Sequence, residues 1–167
     1  MNRRELATAE AEAERLADRF GDLHLIYGWW GSALEGRGEL GRARDVLKRG
    51  LAKARKKSAL CIRLGELASE AGDIKEAVYW WAQAVHCQEA TGDYGGSASA
   101  YLYLHYVAEV AGRLDVATAF LARADRIRPG QVRLVTEAAD ELQSVAARGS
   151  TPGVEAVLCE LRDRYLL

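Results

Sequence analysis

Residues 61–81 read C-I-R-L-G-E-L-A-S-E-A-G-D-I-K-E-A-V-Y-W-W, and two other stretches keep the same order. They are Y-G-W-W-G-S-A-L-E-G-R-G-E-L-G-R-A-R-D-V-L at 27–47 and Y-L-Y-L-H-Y-V-A-E-V-A-G-R-L-D-V-A-T-A-F-L at 101–121. Each is broken by a glycine, Gly38, Gly72 and Gly112, spaced 34 and 40 residues apart. An apolar residue follows two positions later (Leu40, Ile74, Leu114) and an alanine five positions later (Ala43, Ala77, Ala117). Four residues past each alanine stands a large apolar residue (Leu47, Trp81, Leu121), and three beyond that a small one (Gly50, Ala84, Ala124). Two helix-forming runs around a turn glycine describe an antiparallel helix pair. One such pair cannot cover its own apolar faces, so three in sequence predict a stack.

These residues resemble the tetratricopeptide repeat, W-x₂-L-G-x₂-Y…A-x₃-F…P over 34 residues. The first repeat offers Tyr27, Trp30, Gly31 and Leu34, and the second Cys61, Leu64, Gly65 and Ala68. The third offers Tyr101, Leu104 and Ala108, with His105 at the usual glycine. Pro129 alone fills the terminal proline position, held earlier by Arg55 and Glu89. The six extra residues before the third repeat fall at A-T-G-D-Y-G-G-S, similar to the longer 40-residue variant. The resemblance spans about 24–130. It implies an all-α fold, an α-α superhelix of antiparallel helix pairs in one domain over 1–167. The expected parts are an N-terminal helix (1–21), repeats at 24–57, 58–91 and 98–131, and a degenerate fourth pair or cap at 132–167.

The flanks carry their own periodicity. Leu6, Ala9, Ala13, Leu16 and Phe20 step by three and four, as on an amphipathic helix, with Asn2 and Glu5 placed as its cap. Val135, Ala138, Ala139, Leu142 and Val145 predict another helix. Thr151-Pro152 then reads as a cap and first helical residue, with Val154, Val157, Leu158, Leu161 and Tyr165 on one face.

The 167 residues amount to one domain. A composition of 49% hydrophobic and 28% charged residues excludes a disordered chain, and a net charge of −1 argues against bulk attraction to nucleic acid. Cys61, Cys87 and Cys159 are odd in number and widely spaced, so they read as free thiols of a reducing compartment. The charged N-terminus has no leader-like apolar run, and no stretch reaches the ~18 apolar residues of a membrane span. The expected location is cytoplasmic, with no membrane partner.

Little here points to chemistry. His24, His86 and His105 are scattered, and adjacent His86 and Cys87 point about 100° apart on a helix, a poor arrangement for joint ligation. The glycine-rich stretches G-R-G-E-L-G and G-D-Y-G-G-S lack the lysine and the strand-to-helix setting of a phosphate loop. The expectation is a non-enzyme with no catalytic residue, no metal and no cofactor.

The charge pattern is more informative. Arg42, Arg44, Lys48, Arg49, Lys53, Arg55, Lys56 and Lys57 stand against one acid, Asp45. That basic strip is either a solvated helix face or a surface for an acidic partner. Nucleic acid is disfavoured, since no aromatic residues alternate with these cations.

In the resembling family the first helix of each repeat lines a concave groove that receives a partner's peptide. Helical spacing then selects Leu25, Trp29 and Ser32 in repeat 1. It selects Ile62, Arg63, Glu66 and Glu70 in repeat 2, and Leu102, Tyr103, Tyr106 and Glu109 in repeat 3. The aromatic residues suit peptide anchoring, and the glutamates favour an apolar or basic segment over an acidic tail. The positions of the carboxylate clamp known in some relatives hold Gly28, Ser32, Arg63, Ser99 and Tyr103, of which only Arg63 supplies a strong donor. The expected function is a protein-interaction adaptor holding a peptide in this groove. The alternatives are a small secretion-type chaperone shielding an apolar client segment, or a scaffold self-assembling through oppositely charged ends.

Overall fold

The computed structural model describes residues 3–94, 98–130 and 152–167. Among these, the secondary structure is helical: α1 (Arg3–Arg19), α2 (His24–Glu35), α3 (Leu40–Lys53), α4 (Ser58–Glu70), α5 (Ile74–Thr91), α6 (Ser99–Val110), α7 (Leu114–Ile127) and α8 (Pro152–Tyr165). The cap at Asn2, the helix expected through Val135 to Val145, and Thr151 lie outside the described residues. Helices adjacent in sequence pack in pairs, α2 with α3, α4 with α5 and α6 with α7, and each pair rests on the next. The fold is all-α and compatible with a helical repeat.

The three turns are built alike. Gly38, Gly72 and Gly112 have φ of +77°, +79° and +72°, a region that costs glycine little and other residues much. The amide after each glycine donates back into the first helix: Glu39 to Leu34 O, Asp73 to Ala68 O and Arg113 to Ala108 O, each at 2.9 Å. The glycine amides themselves donate to Glu35 O, Ser69 O and Glu109 O. Two helix-end carbonyls are thus satisfied at every turn, and the chain reverses in the same way three times.

The small positions are buried because helices cross there. Ala43, Ala77 and Ala117 are at most 2% exposed, and Ala84 and Ala124 at most 1%. A Cβ on Gly65 would stand 2.3 Å from Nε1 of Trp81, and one on Gly50 2.6 Å from the Tyr27 ring. The third repeat departs from this scheme. Leu121 is only half-buried, and its neighbour Phe120 is the fully buried aromatic. At the position matching Gly65 stands His105, 8% exposed, its Nδ1 3.1 Å from Ala117 O.

Two regions lie outside the repeat pattern. On α1 the buried residues are Ala13 and Ala17, with Leu16 half-buried; Ala9 is exposed, and Phe20 falls beyond the helix, 41% exposed. The expected stripe is therefore shifted, because small side chains let α1 lie close against α2. The longer connection after α5 is held by Glu89, which accepts hydrogen bonds from Tyr94, Tyr101 and Arg123. Burial of Glu89 is outweighed by these donors, and its pKa lies below the ordinary carboxylate value.

Helix α8 begins at Pro152 and buries Val154, Leu158 and Leu161. It packs mainly along α5, touching α7 and α6. Tyr165 OH lies 2.7 Å from His86 Nδ1, and Arg113 donates to Cys159 Sγ at 2.9 Å.

The Gly65–Trp81 contact predicts opposite signs at two helical glycines. Gly65→Ala should lower stability by ~1–3 kcal/mol through overpacking. Gly41→Ala, with nothing within 4 Å of the new methyl, should raise it by up to about 1 kcal/mol through helix propensity. Urea unfolding of the two variants checks both.

Candidate functional site: the face of the three first helices

The first helices α2, α4 and α6 are joined across one face by a chain of polar contacts. Glu35 of α2 pairs with Arg63 of α4, and Arg63 Nη1 reaches Glu66 Oε2 at 2.6 Å. Tyr103 of α6 donates from its hydroxyl to Glu66 Oε1 at 2.7 Å. The Tyr103 ring stacks on Trp81 of α5, with centroids 4.7 Å apart and planes at 25°. The sequence produces this arrangement because Arg63 and Glu66 are three residues apart on α4, leaving one end of the pair for each neighbouring helix.

The expected groove residues divide into three groups. Leu25, Trp29 and Ser32 are exposed along one stripe of α2, Trp29 at 64% and Leu25 at 53%. Arg63, Glu66, Tyr103 and Glu109 are half-buried, and Glu70 is exposed. The other three belong to the core and are not accessible lining. Ile62 is 8% exposed, Tyr106 5% and Leu102 not at all. Residues 62 and 102 directly precede Arg63 and Tyr103, and neighbours on a helix point about 100° apart, so both members of such a pair cannot share the face. Tyr106 is covered because α6 is flanked by α5, α7 and α8, and its ring lies 5.0 Å from that of His105. His105 Nε2 is in turn 3.7 Å from Glu109.

Glu35 joins this face although sequence reasoning did not select it. Its place three residues after Ser32 on the same stripe was the available signal. The carboxyl is 19% exposed, and Oε1 is buried without a hydrogen-bond partner among the described residues. Burial raises its pKa above the ordinary carboxylate value, more than the Arg63 guanidinium lowers it. Two carboxylates, Glu35 and Glu66, therefore hold one guanidinium, and Glu70 is exposed further along the same helix. With Arg63 engaged by both, the expected clamp positions offer no free strong donor to a partner's carboxylate.

The basic strip has a different environment from the one its sequence suggests. Arg42 pairs with Glu39 and Glu10, Arg44 with Glu76 at 3.4 Å, and Arg49 with Asp18 at 3.0 Å. Lys48 lies 3.9 Å from Glu76 and over the Trp80 ring. Arg55 pairs with Asp22 and Lys56 with Asp93. Only Lys53 and Lys57 make no ion pair among the described residues. The strip ties α3 to α1 and α5 and is mostly neutralised within the chain, although exposed pairs of this kind stabilise weakly.

Among the described residues no three His, Cys, Asp or Glu side chains are grouped to hold a metal, and no helix is long and apolar enough to cross a membrane.

Comparison with known proteins gives no match: no family model matches this chain, nor does any curated protein or solved structure.

The position of Glu35 predicts a signed pH effect. A carboxyl whose pKa is raised by folding is favoured when protonated, so its contribution falls as pH climbs through the unfolded and then the folded pKa. Glu35→Gln should gain stability relative to the unmodified protein as pH rises from 4 to 7. Denaturant titrations at several pH values check the sign, and a gap moving the other way would mean that Arg63 dominates.

Proposed function

We propose that this chain is a non-enzymatic protein-interaction module whose three helix pairs are tetratricopeptide-type repeats, and that it binds a peptide segment on the face of α2, α4 and α6. The repeat assignment is supported by the triply repeated glycine turn and the buried alanines at matching positions. The binding assignment rests on one observation: Trp29, a large apolar side chain 64% exposed, shares its helix face with Leu25 beside a carboxylate-rich floor. Aromatic residues of this kind dominate peptide affinity, and exposed tryptophans next to acids favour a segment carrying both apolar and basic residues.

Among the described residues, α8 packs mainly along α5 and makes none of the contacts of the Glu35–Arg63–Glu66–Tyr103 chain, which supports this reading. A scaffold assembled through the basic strip has less support, because most of those cations already have partners within the chain. Arg63, held between two carboxylates, acts as a positioning residue for Glu66.

Selection of a random displayed peptide library on the full chain tests this reading. The expected result is enrichment of sequences combining Lys or Arg with Leu, Phe or Trp. Trp29→Ala should weaken the enriched peptides at least ~30-fold, in line with a central aromatic anchor, while helical circular dichroism is unchanged. Enriched peptides that bind the Trp29→Ala protein equally well would reject the face.

A further inference from the structure

At the end of the second helix pair remote from Gly72, a cavity of about 350 Å³ opens between the start of α4 and the last turns of α5. Lys56, Lys57 and Ser58 line it on one side, and His86, Cys87 and Ala90 on the other. Cations outnumber acids on its walls, with Arg55, Lys56 and Lys57 against Asp93. Lys56 engages Asp93 at 2.7 Å, and Arg55 turns to Asp22 at 3.2 Å. Lys57 makes no ion pair among the described residues.

Ser58, the first residue of α4, is only 9% exposed, yet its hydroxyl makes no hydrogen bond among the described residues. Buried hydroxyls are normally paired, so this wall of the cavity presents a donor that a solute would satisfy. The cavity lies at the amino end of α4, where the first amides have no acceptor within the helix. Cys61 N is the first of them to reach back, to Lys57 O at 3.0 Å. Lys57 holds the cap position with a cation and makes no side-chain cap. An ammonium, a hydroxyl and a helix end, donors all, therefore meet on one wall. Across the cavity, Tyr165 OH holds His86 Nδ1 at 2.7 Å, and Thr91 donates its hydroxyl to Cys87 O at 2.8 Å. Ala90 and the Cys87 side chain complete that wall.

We propose that this cavity binds a phosphate monoester, with the phosphate on Lys57, the Ser58 hydroxyl and the first amides of α4, and the organic group against Ala90 and Cys87. A phosphate monoester brings about two negative charges and three acceptor oxygens, enough for all three kinds of donor at once. The unpaired amides and dipole of a helix N-terminus favour an anion, and the ammonium and hydroxyl fix where its oxygens sit. A carboxylate has a single charge and two oxygens, and leaves one of these donors unanswered. The same chemistry is carried by a free metabolite and by a phosphorylated side chain. This site is independent of the peptide-binding reading.

Titration of the full chain with phenyl phosphate, followed by amide NMR, tests the site. The expected result is saturable shifts of the amides at 58–60 and 86–91, with benzoate binding about tenfold more weakly. Lys57→Gln should weaken phenyl phosphate about tenfold and Ser58→Ala roughly fivefold. Lys53→Gln, which removes the other cation without an ion pair among the described residues, should leave binding unchanged. A phosphoserine-containing peptide run in parallel distinguishes the two sources. Tighter binding of phenyl phosphate assigns the site to a free monoester, and tighter binding of the peptide to a phosphorylated partner. The proposal is overturned if phenyl phosphate shifts no amide at 58–60, if benzoate binds as tightly, or if Lys53→Gln weakens binding as much as Lys57→Gln. The shifts in the unmodified protein decide the matter even if a variant fails to fold.

Discussion

The absence of a side chain at Gly65 admits the indole of Trp81, and much of the stack depends on that fit. Trp81 is fully buried, with its Nε1 at the point a Cβ of residue 65 would crowd. Its ring lies against Tyr103 of the next pair, and the Tyr103 hydroxyl returns to α4 through Glu66. One glycine and two aromatic rings therefore join α4, α5 and α6. Trp81 Nε1 has no hydrogen-bond partner among the described residues, so shape and ring stacking hold the indole in place.

The same contact orders the electrostatics of the exposed face. Tyr103 holds Glu66 from one side and Arg63 holds it from the other, so the acid stays at the centre of the face beside Glu35 and Glu70. Cations are concentrated elsewhere, on α3, where acids of α1 and α5 meet them. The outcome is an apolar stripe on α2 beside an acidic floor.

The turns were legible because glycine at positive φ is a local requirement, visible at Gly38, Gly72 and Gly112 without knowing any partner. The alanines and Gly65 were legible because their spacing recurs. Leu102 and Ile62 were misplaced for a geometric reason: the chosen stripes included adjacent residues, and only one of each pair can face outward. The sequence left the basic strip as a solvated face or a surface for an acidic partner, and its partners within the chain, Glu10, Asp18 and Glu76, were not legible because they lie on other helices. On α7 of the third pair the buried aromatic is Phe120, its ring 6.1 Å from that of Tyr101, one residue before the Leu121 that the motif points to.

The most direct measurement is a double-mutant cycle on Trp81→Leu and Tyr103→Leu, followed by urea unfolding. If the second and third pairs stack through these rings, the two changes should be non-additive, with a coupling of about 0.5–1.5 kcal/mol. Additivity within ~0.3 kcal/mol would contradict the account, because it would mean that the rings are not neighbours and the three first helices do not share one face.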